Sequence, residues 1–104
     1  MDTNKYKVIL TETAIDDIDQ SYEYISQNLC ANKAAENLML NINRKIMQLE
    51  YSPKMHIKMD KCDRTKRFYR KIVVNNYVIL YTIDEQLGAV YISHMYYSRK
   101  NYLF

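Results

Sequence analysis

Apolar residues recur at intervals that change along the chain, and each change marks an element. Over "KYKVILT" (5–11), Tyr6, Val8 and Leu10 alternate with polar neighbours, the period of a short strand. From residue 14 the step becomes three or four: Ala14, Ile15, Ile18, Tyr22, Ile25 and Leu29 form one stripe, while Asp16, Asp17, Asp19, Gln20, Glu23 and Gln27 fill the wet side. That spacing predicts a helix from about Ala14 to Leu29. Thr11 or Thr13 can cap it; Thr13 with Asp16 fits a loose capping box, and Glu12, Asp16 and Asp17 suit the positive end of the helix dipole.

The segment "NLCANKA" interrupts the pattern, with Asn32 as the expected cap of a second helix. Its stripe is Ala35, Leu38, Met39, Ile42, Ile46 and Leu49, and Ser52-Pro53 ends it. Two amphipathic helices joined by so short a connection predict an antiparallel helical hairpin with apolar faces left to cover. Residues 54–66, "KMHIKMDKCDRTK", show no clear period and read as a basic loop.

The stretch "RFYRKIVVNNYVILYTID" reads as a β-hairpin about Asn75-Asn76, since Asn tolerates the left-handed conformations of a two-residue turn. That turn opposes Val74 to Tyr77, Ile72 to Ile79, Arg70 to Tyr81 and Phe68 to Ile83, and opposed residues share a face. Those eight should meet the helices. Tyr69, Lys71, Val73, Val78, Leu80 and Thr82 form a mixed, wetter face. After "DEQLG", residues 89–96 predict a last strand, with Val90, Ile92 and His94 alternating with Tyr91, Ser93 and Met95. The predicted class is α+β, in the order β-α-α-β-β-β: a twisted, mainly antiparallel sheet packed on one face by a helical hairpin.

Composition narrows the picture little further. A chain of 104 residues with 48% hydrophobic residues fits a single domain, 1–104, able to bury one core. One Gly, one Pro and no Trp favour long elements over tight turns. A net charge of +3 permits contact with nucleic acid or an acidic protein without requiring either. Cys30 and Cys62 are too few for a disulfide scaffold, and Cys62 with His56 and Asp60 lacks metal-ligand spacing. No metal and no cofactor are expected. "MDTNKYKVIL" is no signal peptide and no run of about 18 apolar residues occurs, so no membrane span is expected and the expected location is cytoplasmic.

The succession "VILTETAIDDIDQSYEYI", "AAENLMLNINRKIMQLEYSP", "YRKIVVNNYVILYTID" and "VYISHMYYSR" resembles the RelE/ParE superfamily of toxins from type II toxin–antitoxin pairs. The likeness covers nearly the whole chain and rests on order and spacing. It implies a growth-arresting toxin neutralised by a cognate antitoxin, so a toxin–antitoxin hetero-oligomer is expected. It also implies one of two targets. The RelE branch cuts mRNA in the ribosomal A site. The ParE branch poisons DNA gyrase without being a nuclease.

RNA cleavage needs a base, an acid and positive charge for the phosphorane. By resemblance, Lys71 on the open sheet face and His94, Tyr97, Arg99 and Tyr102 near the end are the nuclease candidates. Where RelE-like nucleases commonly carry Arg after the Tyr that leaves the hairpin turn, this chain has Val78, followed on the same face by Leu80. Strict alternation puts His94 toward the helices. The long helical hairpin is the more ParE-like feature, and a protein-binding toxin needs surface, for which Tyr, Met and Arg are suited. Tyr69, Lys71, Tyr91, Met95, Tyr97 and Arg99 are the expected contact residues, with Tyr91, Met95 and Tyr97 sharing the open face with Tyr69. A non-enzymatic gyrase inhibitor is therefore favoured over a ribosome-dependent mRNA endonuclease, and a basic nucleic-acid-binding module stands behind both. Arg70, the one charge on the apolar sheet face, is expected to be structural, either an edge-lying side chain or an ion pair with Glu23 or Glu36.

Overall fold

Local capping and periodicity produce the elements in the expected order, with one strand more. The computed structural model describes residues 5–99. β1 (Lys7–Leu10) leads into α1 (Glu12–Glu23), which runs on through a π-helical turn (Tyr24–Asn28). α2 (Asn32–Tyr51) follows, then a 3-10 turn (Pro53–Met55), β2 (Ile57–Cys62), β3 (Phe68–Val74), β4 (Tyr77–Asp84) and β5 (Ala89–Tyr97). The five strands form one sheet in the order β1-β5-β4-β3-β2. β1 runs parallel to β5, and the other pairs are antiparallel. The fold is the α+β architecture expected.

β2 is the strand that periodicity hid inside a basic loop. It lies at the sheet edge, is exposed at nearly every position and shifts register against β3 between Lys58 and Cys62. A strand with no buried face shows no alternation to read. At α1, Thr11 is the cap: its Oγ1 accepts the Ala14 amide at 3.1 Å. Asn32 is the first helical residue of α2, and Ala31 before it makes no side-chain cap bond.

One side of the sheet meets the helices. Ala14 of α1 and Leu38, Ile42 and Leu49 of α2 pack with Ile72, Val74, Ile79, Tyr81, Val90, Ile92 and Met95 in one core. Each fully buried Leu or Ile stabilises by about 1.5–3 kcal/mol relative to exposure. The Asn75-Asn76 hairpin has the predicted register, Val74 opposite Tyr77 and Arg70 opposite Tyr81, with Asn75 at φ 54.

Two details fix the sheet's ends. Arg70 bonds neither Glu23 nor Glu36. Its Nη1 donates to the carbonyls of Lys54 (3.0 Å) and His56 (2.7 Å). Across the ladder, Tyr81 donates its hydroxyl to the Pro53 carbonyl at 2.5 Å. Burial pushes the Tyr81 hydroxyl up to about 12, so it stays a donor. One cross-strand pair thus clamps the segment between α2 and β2. At the other end, β5 carries an extra residue: Leu80 faces His94 but Tyr81 faces Ile92, leaving Ser93 unpaired. Thr11 bonds the Ile92 and Ser93 carbonyls, and Asp17 Oδ2 accepts the Met95 amide at 3.0 Å. These bonds satisfy backbone groups that the bulge and the short β1 would leave orphaned.

Candidate functional site

The bulge decides which residues of β5 share the open face. Before Ser93, Tyr91 points outward opposite Thr82; after it, His94 and Tyr96 do, opposite Leu80 and Val78. His94 is therefore on the open face and not on the helix-facing side that alternation predicts. Met95 and Tyr97 move the other way. Met95 is only 3% exposed and belongs to the core, and Tyr97 stands at the rim of the helix-facing side, edge-on to Tyr77 with ring centroids 5.5 Å apart. The expected sharing of one face by Tyr91, Met95, Tyr97 and Tyr69 holds only for Tyr69 and Tyr91.

The open face is a grid set by register. One row runs Ile57, Lys71, Leu80, His94 across β2 to β5, and the next runs Val73, Val78, Tyr96. Tyr69 lies beside Lys71 two residues along β3. Lys71 is exposed, and His94, Tyr69, Tyr91 and Tyr96 are half-buried. Lys71 and His94 sit two strands apart, about 10 Å between backbones. Leu80 lies between them at 0% exposure. The β4 residues of this face, Val78, Leu80 and Thr82, are buried, not wet, because both flanking strands carry long side chains that cover the central one. Burial holds the Tyr69 and Tyr96 hydroxyls above the usual phenol range, with Asp63 and Cys62 adding to the effect at Tyr69. Both phenols remain protonated at neutral pH.

A further cation on this face is committed elsewhere. Arg67 Nη2 pairs with Asp84 Oδ2 at 2.7 Å, and its guanidinium lies 5.9 Å from the Tyr91 ring centroid. Extending the hairpin register one pair beyond Phe68–Ile83 puts Arg67 opposite Asp84, so this pair was within reach of the sequence. Tyr96 was not, because its direction depends on the bulge.

On the helix side, Tyr97 and Met95 line a groove of about 670 Å³ with Asp17, Tyr24, Leu29 and Tyr77. Tyr24 and Leu29 are exposed apolar residues there. The expected contact residues thus divide between two surfaces: Tyr69, Lys71 and Tyr91 on the open face, and Met95 and Tyr97 at the groove. Arg99 is exposed just beyond β5, and Tyr102 lies outside the described residues. Among the described residues no cluster of His, Cys, Asp or Glu could hold a metal ion, and no helix is long and apolar enough to cross a membrane.

The open face offers exposed lysines at Lys71 on β3 and, near the opposite edge, Lys7 on β1, with an imidazole and protonated phenols around an apolar centre. That set supports contact and hydrogen bonding more readily than concerted acid–base chemistry on a phosphodiester.

Comparison with solved structures finds the same fold in toxin–antitoxin systems. The chromosomal ParDE system of P. aeruginosa matches with a TM-score of 0.70 at 11% identity, covering 91% of this chain and 98% of that one. The archaeal RelE–RelB complex of Pyrococcus horikoshii matches with a TM-score of 0.60 at 14% identity, over 93% and 99%. The RelBE2 complex of Mycobacterium tuberculosis gives 0.59 at 16% identity, over 89% and 91%. At such identities the likeness is one of fold. No curated protein matches the sequence significantly. The sequence does match the family described as "ParE toxin of type II toxin-antitoxin system, parDE" over residues 8–102. A match across nearly the entire chain, on the fold those toxins share, makes this chain a member of the ParE toxin family.

Proposed function

We propose that this toxin arrests growth by a ParE-like, non-nucleolytic action on DNA gyrase, and that a cognate antitoxin neutralises it in a hetero-oligomer. The observation that carries this reading is the centre of the open face. Leu80, fully buried, separates Lys71 from His94, and Asp84 neutralises Arg67. A phosphorane formed there would meet little positive charge. Membership of the ParE family points the same way. Tyr69, Lys71, Tyr91, Tyr97 and Arg99 are the residues assigned to target contact. The antitoxin's place is the helical hairpin and its groove, where exposed Tyr24 and Leu29 adjoin an acidic outer side suited to a basic, amphipathic segment. Toxin, antitoxin and target would meet in the cytoplasm.

One observation favours the RelE-like alternative, ribosome-dependent mRNA cleavage: the Ser93 bulge puts His94 on the same face as Lys71. In that reading Lys71, His94, Tyr97, Arg99 and Tyr102 are the catalytic candidates. Inducing the protein in cells while mapping new mRNA 5′ ends and gyrase–DNA cleavage complexes separates the two. Trapped gyrase or lost supercoiling with intact mRNA is expected. Codon-phased mRNA ends with untouched gyrase would overturn the proposal in favour of the alternative.

A further inference from the structure

Apart from Lys71, the gyrase reading leaves the densest charge in the molecule unused. Between residues 54 and 71 lie eight Lys or Arg and two Asp, a local excess of six positive charges in a chain whose total is +3. The structure folds most of this segment into a two-stranded ribbon, β2 and β3, at the free edge of the sheet. Among the described residues, Lys58 lies over the Phe68 ring, 5.1 Å from its centroid, and three more of those cations are occupied. Lys54 pairs with Glu85, Arg67 with Asp84, and Arg70 binds backbone carbonyls. Lys61, Arg64 and Lys66 are exposed and enter none of the ion pairs among the described residues.

The tip of the ribbon is built as a tight turn that carries Arg64 and Lys66, just past Lys61 on β2. Asp63 Oδ1 accepts the Thr65 amide (2.8 Å), the Thr65 hydroxyl (2.5 Å) and the Arg67 amide (3.1 Å). The Asp63 amide donates to the Arg67 carbonyl and the Lys66 amide to the Asp63 carbonyl. Burial of Asp63 works against ionisation, but the bonds from Thr65 and Arg67 outweigh it and keep the carboxylate below its ordinary range. The acid within the turn is thus ionised but bonded into its own turn. Lys66 takes φ 68, a conformation that Gly or Asn would adopt with less strain. Lysines on an edge strand also guard against sheet-to-sheet pairing, which accounts for Lys58 and gives Lys61 a second use. It does not account for Arg64 and Lys66, which lie past the strand in the turn.

We propose that the β2–β3 hairpin is a cationic arm that binds the phosphate backbone of duplex DNA through Lys61, Arg64 and Lys66. A two-stranded ribbon enters the major groove of B-form DNA, about 12 Å wide, whereas the deep, narrow major groove of A-form RNA excludes it. The contact is sequence-independent, because it is made to phosphates and not to base edges. It stands on charge and geometry whether or not gyrase is the target. If gyrase is the target, the arm lets the toxin hold enzyme and DNA together.

The test is fluorescence anisotropy of the purified full chain, without other proteins, on a 20-base-pair DNA duplex and a matching RNA duplex between 50 and 200 mM salt. The variant is K61Q/R64Q/K66Q. The control, K33Q/R44Q/K45Q, removes equal charge from α2. Each phosphate contact adds about 0.9 to the slope of log affinity against log salt. Three contacts make the parent lose about 40-fold more affinity than the hairpin variant across this fourfold salt range. The control should keep the parental slope. Equal loss in both variants, unchanged binding by the hairpin variant, no DNA binding by the parent at 50 mM salt, or tighter binding to the RNA duplex would each overturn the proposal. Melting curves of all three proteins exclude unfolding as the cause, and single substitutions replace any variant that fails to fold.

Discussion

The clamp formed by Arg70 and Tyr81 yields a prediction with a magnitude. Arg70→Met keeps the packed stem and removes donors to two carbonyls, at 3.0 and 2.7 Å. Hydrogen bonds from a charged group contribute about 1.5–3 kcal/mol each when buried. Arg70 is only half-buried, and freed carbonyls at this edge can recruit water, so about 2 kcal/mol in total is expected for the pair. Tyr81→Phe strands the Pro53 carbonyl in the interior, also at about 2 kcal/mol. For a domain of this size, each kcal/mol corresponds to about 4–8 °C of melting temperature, so each substitution should lower it by about 8–16 °C.

The double variant is the sharper measurement. Both side chains hold the same segment, residues 53–56. Once one hold is lost and the segment frays, the other has less to lose. The combined destabilisation, read from urea unfolding, should fall short of the sum by about 1 kcal/mol. Glu23→Gln and Glu36→Gln should be silent, since neither acid bonds Arg70. An Arg70→Met protein melting within about 2 °C of the parent, roughly 0.3 kcal/mol, would refute the structural role. Strict additivity would refute the shared clamp.

Three other outcomes follow from the same geometry. Asp17→Ala leaves the Met95 amide without its acceptor and should cost about 1–3 kcal/mol in urea denaturation. His56 stacks edge-on to Tyr81 with its Nε2 buried and unbonded; burial first, then Lys45 and Arg70, hold its pKa below the ordinary value. The unfolded chain therefore takes up the proton first as pH falls, so the melting temperature should decline below about pH 6.5, and His56→Phe should flatten that decline; an equally steep decline in the variant contradicts the assignment. Alanine at both Tyr97 and Arg99 should abolish growth arrest in a stably folded protein, and persistent arrest on induction would remove both from the working surface.

The legible parts of the fold were the locally encoded ones. The α1 and α2 stripes, a threonine cap at Thr11 or Thr13, the Ser52-Pro53 stop and the Asn75-Asn76 register each depend on residues within a few positions. β2 was illegible because an exposed, register-shifted edge strand has no buried face to impose alternation. Arg70 was legible as the lone charge on an apolar face, but its partners were not. Carbonyls carry no sequence signature, and the segment bearing them comes within reach only once the chain has turned back from α2.

The error at β5 has a different origin, because the signal was present and misread. Val90, Ile92 and Met95 are all in the core, so the apolar step there is two and then three. A strand cannot make an odd step without an extra residue, and that residue is Ser93. Keeping strict alternation would bury His94 and expose Met95. The cost of an unsatisfied imidazole and a lost apolar side chain exceeds that of a bulge whose backbone groups Thr11 and Asp17 satisfy. The same slip sets the character of both surfaces. It puts an imidazole and a phenol on the open face, two strands from Lys71, and it sends Tyr97 to the rim of the α1 groove. The carboxylate that secures the slip belongs to α1 and lines that groove. A partner seated on the helical hairpin would therefore press on the residue that fixes which side chains the open face presents.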